Sequence, residues 1–316
     1  MTSADRVDRA ALVAAARDTI ARGSKSFAMA SKLFDPVTRE RAWLLYAWCR
    51  ACDDLADGQD MGGALSTVAD APARVAAMRE RTATALAGRV TGDPAFDALG
   101  VVAAECGIPA QLAMDVVDGF ALDAAEWRPR SEEDLYRYCY HVAGAVGCMM
   151  AIVMGVDAHD TETLDRASDL GLAFQLGNIA RDVAEDDAAG RCYLPVDWLV
   201  EIDVSPGEHM KPHYRQRLAV LARRLRDRAA AYEASARIGA GALSYRSAWA
   251  VLAAAGIYGG IAREVAARGS HAWDRRVTTS RWQKLGWVAK AGWQAARRRR
   301  STGPRPRALW TRPHEA

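Results

Sequence analysis

Apolar residues recur at spacings of three and four along almost the whole chain of 316 residues. This period matches one face of an α-helix, and the alternating, turn-bounded runs that predict strands are missing. None of the eleven prolines falls between Pro129 and Pro195 or between Pro212 and Pro304, so helices can run through both intervals. We therefore predict an all-α chain of about ten helices.

Turn-forming residues indicate where these helices end. Clusters of Gly, Pro, Asp and Ser predict breaks at 34–36, 58–63, 92–94, 107–109, 128–131, 155–160, 188–195 and 204–212. Composition does not change before about residue 270, so we predict one large helical domain over residues 1–316. Its C-terminal segment, from about 270 to 316, has a composition of its own.

The location of the protein is predicted from its apolar stretches. The longest stretches free of charge, 142–156 and 247–262, fall short of the ~20 apolar residues that cross a bilayer. Asp5, Asp8 and Asp18 fit neither a secretory signal nor a transit peptide. We expect no transmembrane helix and a cytoplasmic protein.

Segment 43–57 predicts a helix with an acidic stripe. Four of its residues share one side of the helix, at spacings of four, three and four: Tyr46, Arg50, Asp53 and Asp57. Most of the remaining circumference is apolar, unlike that of a surface helix, whose charges lie opposite a single apolar stripe. We expect these carboxylates to face an internal cavity.

Segment 171–187 predicts a helix with two faces. One face is an apolar seam that consists of Leu172, Leu176, Ile179 and Val183. Beside it runs a polar stripe that consists of Gln175, Asn178, Asp182 and Asp186. This segment therefore predicts a core face next to a second acidic face.

Acidic stripes of this kind need cations. Carboxylates one turn apart repel each other, and burial adds a desolvation cost unless a positive charge neutralises them. No histidine lies near either stripe in the sequence, so the ligands are oxygen atoms, which favour Mg²⁺ over zinc or copper. Neither segment has the spacing of an EF-hand. Because Mg²⁺ is usually held by one or two carboxylates plus substrate phosphates, the stripes predict a substrate with a diphosphate.

A diphosphate paired with magnesium is a good leaving group, and its departure leaves a carbocation. A carbocation survives only away from water and beside aromatic faces. Six aromatic residues are candidates for this lining, with ordinary core packing as the alternative for each: Phe27, Tyr46, Tyr138, Phe174, Tyr193 and Tyr258.

The C-terminal segment concentrates basic and aromatic residues. Residues 275–316 hold twelve Lys or Arg and one acidic residue, Glu315, within a net charge of +3. No zinc-finger spacing or RNP-like strand accompanies them, so we predict no nucleic acid partner. Apolar residues recur at helical spacing at Trp282, Leu285, Gly286, Ala289 and Trp293, among Arg281, Lys284, Lys290 and Arg297. This composition is typical of a helix on an anionic lipid surface, and a solvated tail with ordinary packing tryptophans is the alternative.

Four segments in consistent order resemble the squalene and phytoene synthase family, and within it the bacterial phytoene synthases of carotenoid biosynthesis. They are residues 24–27, 46–58, 138–147 and 175–195, and the resemblance extends to the helix around Tyr258. It implies an isoprenoid (terpenoid) synthase fold, in which two aspartate-rich helices face each other across a central cavity.

The resemblance also implies roles for individual residues. The metal ligands would be Asp53, Asp57, Asn178, Asp182 and Asp186, and the aspartates among them would be catalytic together with Tyr138. The substrate-binding residues would be Ser24, Ser26, Phe27, Tyr46, Arg50, Val142, Ala143, Gln175, Asn178, Arg181, Arg191, Tyr193 and Tyr258. Mg²⁺ is the expected cofactor, with Mn²⁺ as a substitute.

The implied reaction joins two geranylgeranyl diphosphates head to head, through prephytoene diphosphate, to phytoene, and releases two diphosphates. Squalene synthases instead use NADPH, which we do not expect here because Gly239 and Gly241 lack the third glycine and the preceding strand of a dinucleotide site. Ser31, one turn after Phe27, would leave room for a long chain. A dehydrosqualene-type synthase that uses farnesyl diphosphate is the alternative.

Two further alternatives belong to other classes. A non-catalytic assembly protein of the same fold is expected to lose the metal-binding aspartates, which this chain keeps. A terpene cyclase is disfavoured because the second acidic segment lacks the Asn, Ser and Glu triad of that class. The expected partners are prenyl diphosphates, downstream carotenoid enzymes and the inner face of the cytoplasmic membrane, which would receive the water-insoluble product.

Overall fold

The computed structural model describes residues 8–57, 70–205, 207–299 and 303–314, and every regular element in these ranges is helical. The prediction of an all-α chain is therefore confirmed. Thirteen α-helices are present in the described ranges, rather than about ten. Seven of the eight predicted breaks coincide with observed helix ends, and the break at 58–63 lies outside the described residues.

The described residues group into two compact units, and the prediction of a single domain stays a prediction. The first unit comprises Met1–Ala125 and Cys148–Asp160. Its helices are α1 (Arg9–Gly23), α2 (Lys25–Ser31), α3 (Pro36–Asp57), α4 (Ala71–Leu86), α5 (Pro94–Cys106) and α6 (Ala110–Ala124). Helix α3 packs against α1, α4, α5 and α6, which bury Leu44, Leu45 and Trp48.

The second unit comprises Glu126–Gly147 and Thr161–Ala316. Its elements are α7 (Glu132–Cys139), a π-helical turn (Tyr140–Gly144), α9 (Thr161–Ala188), α10 (Val196–Glu201), α11 (Arg215–Gly239), α12 (Tyr245–Arg268) and α13 (Arg281–Ala296). Helix α8 (Ala145–Val153) has residues in both units. Helix α9 packs against α7, α11, α12 and the π-helical turn.

The apolar seam predicted on α9 is the buried face of that helix. Leu172, Leu176, Ile179 and Val183 are all buried. The neighbouring polar stripe is partly exposed. The two predicted faces of this helix are therefore confirmed.

The π-helical turn, called the π-turn below, lies unusually close to α9. The backbone N–H of Ala145 donates to the carbonyl of Tyr140, five residues earlier. A Cβ at Gly171 would lie 2.5 Å from the carbonyl carbon of Ala143 and 2.7 Å from Cα of Gly144. Because only glycine permits this approach, Gly171 sets how closely the π-turn packs on α9.

One helical span in the described ranges, Tyr245–His271, is long and apolar enough to cross a bilayer by length and composition. Half of its most apolar window is buried inside the protein, and α12 packs against α9, α11 and α13. We interpret this span as a core helix, because its neighbours already cover much of its surface.

Much of the basic C-terminal segment belongs to the fold. Trp273 is buried and its indole N–H donates to the carbonyl of Ala180, 3.0 Å away. The indole of Trp249 donates to the carbonyl of Val288 at 2.7 Å, which ties α13 to α12. The segment as a whole is therefore not a solvated tail, but the ordinary tryptophan packing that this alternative included is observed at Trp273.

Candidate active site

The acidic stripe of α3 is neutralised from within its own helix. Arg50 forms an ion pair with Asp53 at 2.9 Å, and its Nε donates to Asp54 at 3.1 Å. The hydrogen bond to Asp54 is the main reason why the pKa of Arg50 is raised. The side chain of Asp53 is 46% exposed and that of Asp54 is 17% exposed, so Asp53 is the carboxylate more open to a cation. The side chain of Asp57 lies outside the described residues.

Beside this stripe, α2 presents an aromatic contact. The rings of Phe27 and Tyr46 lie 5.5 Å apart. Burial raises the pKa of Tyr46, which keeps its phenol protonated. Ser24 caps α2, since its hydroxyl accepts from the N–H of Phe27 at 3.2 Å; its own proton can still be donated. The side chain of Ser26, another predicted ligand, lies outside the described residues.

On α9, two arginines enclose Asp182. The Nε of the adjacent Arg181 donates to Asp182 at 2.7 Å. Arg276 reaches both carboxylate oxygens, at 2.9 and 3.0 Å. The second acidic stripe therefore carries its own cations, as the first one does, and the cost of its like charges is offset.

The rest of the α9 stripe is polar and ordered. The side-chain amide of Asn178 donates to Oε1 of Gln175 at 3.3 Å, which restrains the orientation of the Asn178 amide. Asp186 is partly exposed, and its backbone carbonyl accepts from the N–H of Arg191 at 2.8 Å. The backbone of Arg191 therefore lies beside the end of the stripe.

The π-turn adjoins the beginning of this stripe. Val142 and Ala143 are partly exposed, and Ala143 contacts α9 at Gly171, one turn before Gln175. The second unit thus brings the predicted residues of the π-turn next to the polar face of α9.

Tyr138, on α7, belongs to an aromatic stack. Tyr138 is buried between two rings, with Tyr193 at 4.8 Å and Trp127 at 5.8 Å, both nearly parallel to it. A second stack joins Phe174 to Tyr258 at 4.3 Å. Burial raises the pKa of Tyr258, and nearby Arg181 opposes the shift. These rings form apolar, aromatic stacks, and their role beside a carbocation stays a prediction.

One histidine lies beside the end of the α9 stripe in three dimensions, although no histidine is near either stripe in the sequence. Nε2 of His209 lies 3.4 Å from Asp187, the neighbour of Asp186. His209 is 2% exposed and burial lowers its pKa. His209 lies in the loop after α10, 22 residues beyond Asp187. The helical period of α9 does not extend into this loop, so it could not predict the contact.

Two residues of the site were not predicted. Trp127 was missed because it precedes α7 in a loop. Arg276 was missed because it is 94 residues from Asp182 and belongs to the segment that was assigned to lipid. Its position follows from its neighbour Trp273, which is anchored to Ala180, two residues before Asp182.

Comparisons with known proteins show which family this chain is similar to. A sequence model of the squalene/phytoene synthase family matches residues 20–283. The phytoene synthase of Pseudescherichia vulneris is 47% identical over 301 residues, which is 94% of this chain and 97% of that protein. The 15-cis-phytoene synthase of Pantoea ananas is 46% identical over 302 residues, covering 94% and 96%.

Solved structures show the same fold. A crystal structure of a dehydrosqualene synthase in complex with ligand has a TM-score of 0.79 at 26% identity, covering 90% of this chain and 96% of that one. A squalene synthase from Alicyclobacillus acidocaldarius has a TM-score of 0.73 at 24% identity, covering 84% and 96%. The predicted isoprenoid synthase fold is confirmed by these similarities.

Proposed function

The chain belongs to the squalene/phytoene synthase family, and from this premise we propose that it joins two geranylgeranyl diphosphates into phytoene. The condensation passes through prephytoene diphosphate and releases two diphosphates. One observation carries this choice of substrate: the relatives at 47% and 46% identity over nearly their whole length are named phytoene synthases. The dehydrosqualene synthase of known structure is only 26% identical, so the farnesyl diphosphate alternative is less favoured.

The oxygen donors of the two stripes fit magnesium. Asp53 and Asp182 offer carboxylates and Asn178 offers an amide oxygen, the ligand types that Mg²⁺ accepts. We expect Mg²⁺, or Mn²⁺ in its place, at Asp53, Asp57, Asn178, Asp182 and Asp186. When bound, the ion neutralises the charge that develops on the departing diphosphate.

The arginines bind the diphosphate itself. Arg50, Arg181 and Arg276 pair with carboxylates in the structure, and their planar guanidinium groups match phosphate oxygens equally well. When the substrate binds, we expect these arginines to leave their carboxylates and pair with the diphosphate. Arg191 and the Ser24 hydroxyl are expected to bind the same diphosphate. This exchange keeps each arginine charge paired before and after binding.

The aromatic stacks protect the carbocation. The rings of Tyr193 and Phe174 provide negative potential without a nucleophile. Tyr138, stacked between Trp127 and Tyr193, holds the Tyr193 ring in position. Because these rings are packed against other rings, they hold their position and exclude water from the reacting carbons. The loss of a proton then ends the reaction, with no hydride donor.

Product analysis tests the proposed function. Purified protein is given geranylgeranyl or farnesyl diphosphate with Mg²⁺, and the hydrocarbon and released diphosphate are measured. We expect phytoene, two diphosphates per hydrocarbon, no effect of NADPH and no reaction after chelation with EDTA. Efficient use of farnesyl diphosphate alone would favour the dehydrosqualene-type alternative, and no turnover of either substrate would favour an assembly protein.

Ser31 is the residue at which we propose that a larger side chain would shorten the product. It is completely buried, donates to the carbonyl of Ala28 at 2.9 Å and accepts from the indole of Trp43 at 3.0 Å. We expect Ser31→Phe to lower the ratio of 40-carbon to 30-carbon product by about tenfold, because the added ring must displace Trp43 or α2. Mass spectrometry of products from mixed substrates measures this ratio. Ser31→Ala, which adds no volume, should keep it; an unchanged ratio in an active Phe variant would contradict the prediction.

We also propose that α13 docks on the cytoplasmic membrane. The predicted stripe is the outer face of this helix: Trp282 is 83% exposed, Trp293 58% and Leu285 53%. Its opposite face is buried at Ala291 and Ala295. Exposed large apolar side chains on a helix flanked by basic residues are typical of helices that lie on anionic lipid. A lipid surface would also receive the water-insoluble product.

Vesicle binding tests this docking. Truncation after residue 269 is a poor test because it removes buried Trp273, whereas Trp282→Ser with Trp293→Ser changes exposed residues only. We expect the double variant to bind phosphatidylglycerol vesicles at least about tenfold more weakly, since two interfacial aromatic residues are lost. Val200→Ser, at a 63% exposed position on α10, is the matched control and should bind normally. Equal vesicle binding by the unchanged protein, the double variant and the control would contradict the docking of α13 on the membrane.

A further inference from the structure

The end of the chain is bound to α9 by ion pairs. We call residues 303–314 the C-terminal strap. Arg305 donates to both carboxylate oxygens of Asp169, at 2.8 and 2.6 Å. Arg312 and His314 each lie 2.9 Å from Asp165. The strap is therefore held at two successive turns of α9.

These contacts are buried rather than superficial. The side chain of Asp169 is 1% exposed and that of Arg305 is 11% exposed. On the same helix Arg166 is 3% exposed and donates to the carbonyl of Gly303 at 2.6 Å. Asp169 also has a hydrogen bond with Ser235, but the cation that pairs with it is Arg305 of the strap. A buried carboxylate that loses its cation is strongly disfavoured, so Asp169 favours the strap in place. Surface ion pairs would not impose this requirement.

The strap also contacts the π-turn. The ring of Trp310 lies 5.9 Å from that of Tyr140, the first residue of the π-turn, and its backbone N–H donates to the hydroxyl of buried Tyr232 at 3.2 Å. On α9, Ser168 precedes Asp169 and packs against Gly144, the last residue of the π-turn. The strap therefore contacts the first residue of the π-turn directly, and it binds the turn of α9 against which the last residue of the π-turn packs.

We propose that the C-terminal strap fixes the π-turn in its catalytic position, with Arg305 and Trp310 as positioning residues. Val142 and Ala143 lie between the two supported ends, next to the polar stripe of α9. Release of the strap would let this backbone move while the metal ligands and the diphosphate-binding arginines stay in place. Only the kinetic part of this proposal rests on the proposed function.

Hydrogen exchange tests the proposal without any substrate. Arg305→Ala removes the cation that pairs with Asp169 and leaves its hydrogen bond with Ser235. Arg307→Ala makes the same chemical change two residues away at an exposed position. In the full-length Arg305→Ala protein we expect peptides that cover 140–147 to exchange at least about tenfold faster, as local opening becomes easier. Arg307→Ala should exchange like the unchanged protein. Faster exchange in 303–314 with unchanged exchange in 140–147 would overturn the proposal.

A second pair of variants covers the case in which Arg305→Ala does not fold. Trp310→Ala leaves every ion pair intact and removes only the ring on Tyr140. We expect the same faster exchange in 140–147, a kcat at least about tenfold lower and a KM within about twofold, because positioning rather than binding is lost. Trp310→Phe restores a ring and should recover most of the kcat. A lower melting temperature with unchanged kcat and unchanged exchange in 140–147 would show a merely structural role and overturn the proposal.

Discussion

Replacement of Asp182 by Asn is expected to lower kcat/KM for geranylgeranyl diphosphate by about 10³-fold, because a metal ion contributes several kcal/mol of charge stabilisation. The substitution keeps the shape of the side chain and removes its charge. It also leaves Arg181 and Arg276 without the carboxylate that now holds both of them. Steady-state rates at a series of Mg²⁺ concentrations measure the effect, and we expect a higher Mg²⁺ requirement as well as a lower maximum.

Glu185→Gln is the matched control for this prediction. Glu185 is exposed on the same helix, three residues after Asp182, and its neutralisation should leave the rate nearly unchanged. Asp53→Asn should resemble Asp182→Asn, since Asp53 is the more open carboxylate of α3. Circular dichroism checks that each variant is folded. A folded Asp182→Asn enzyme with the rate of the unchanged protein would exclude the second acidic stripe from catalysis.

Helix α9 shows why part of the site could be predicted from the sequence. An uninterrupted helix of 28 residues fixes the direction of every side chain by its period, so the sequence alone predicts different faces for Leu172 and Asp182. The same holds for α13, where the stripe through Trp282 and Trp293 proved to be the outer face. Predictions of this kind depend only on neighbours within one helix.

The unpredicted features depend on contacts between distant parts of the chain. Arg276 pairs with Asp182 across 94 residues, and Arg305 pairs with Asp169 across 136. Such pairs leave no period in the sequence, so a cluster of arginines does not indicate whether its partner is lipid or a buried carboxylate. Half of the ten tryptophans lie in the basic segment and share this ambiguity. Trp273 is buried, whereas Trp282 is exposed.

The π-turn belongs to the same class. The sequence predicts that its residues lie beside Tyr138. It does not predict that the hydrogen bond of this turn spans five residues, one more than in an α-helix. That geometry is set by Gly171, which lies 27 residues beyond Gly144 and lets two backbones touch. A glycine within a long helix lowers the stability of the helix by about 1 kcal/mol relative to alanine. This cost is the one local sign in the sequence that the position needs a glycine for another reason.

Gly171→Ala is accordingly expected to lower both stability and activity. The new Cβ would lie 2.5 Å from the carbonyl carbon of Ala143, a backbone atom that cannot rotate away, so the π-turn must move. Overpacking of this kind costs about 1–3 kcal/mol, and a displacement of about 1 Å near reacting groups can lower the rate about 10²-fold. Thermal unfolding and kcat with geranylgeranyl diphosphate measure the two effects.

Gly177→Ala separates this steric effect from the intrinsic preference of helices for alanine. Gly177 is also buried on α9, but a Cβ there would meet nothing closer than the Cβ of Ala262 at 3.6 Å, an ordinary contact. We expect this variant to be more stable by about 0.5–1 kcal/mol, since alanine replaces glycine within a helix without a clash. Because both variants gain the same helix preference, the difference between them reports the contact with the π-turn alone. If the two variants unfolded at the same temperature and reacted equally fast, the close approach of the π-turn to α9 would have no bearing on catalysis.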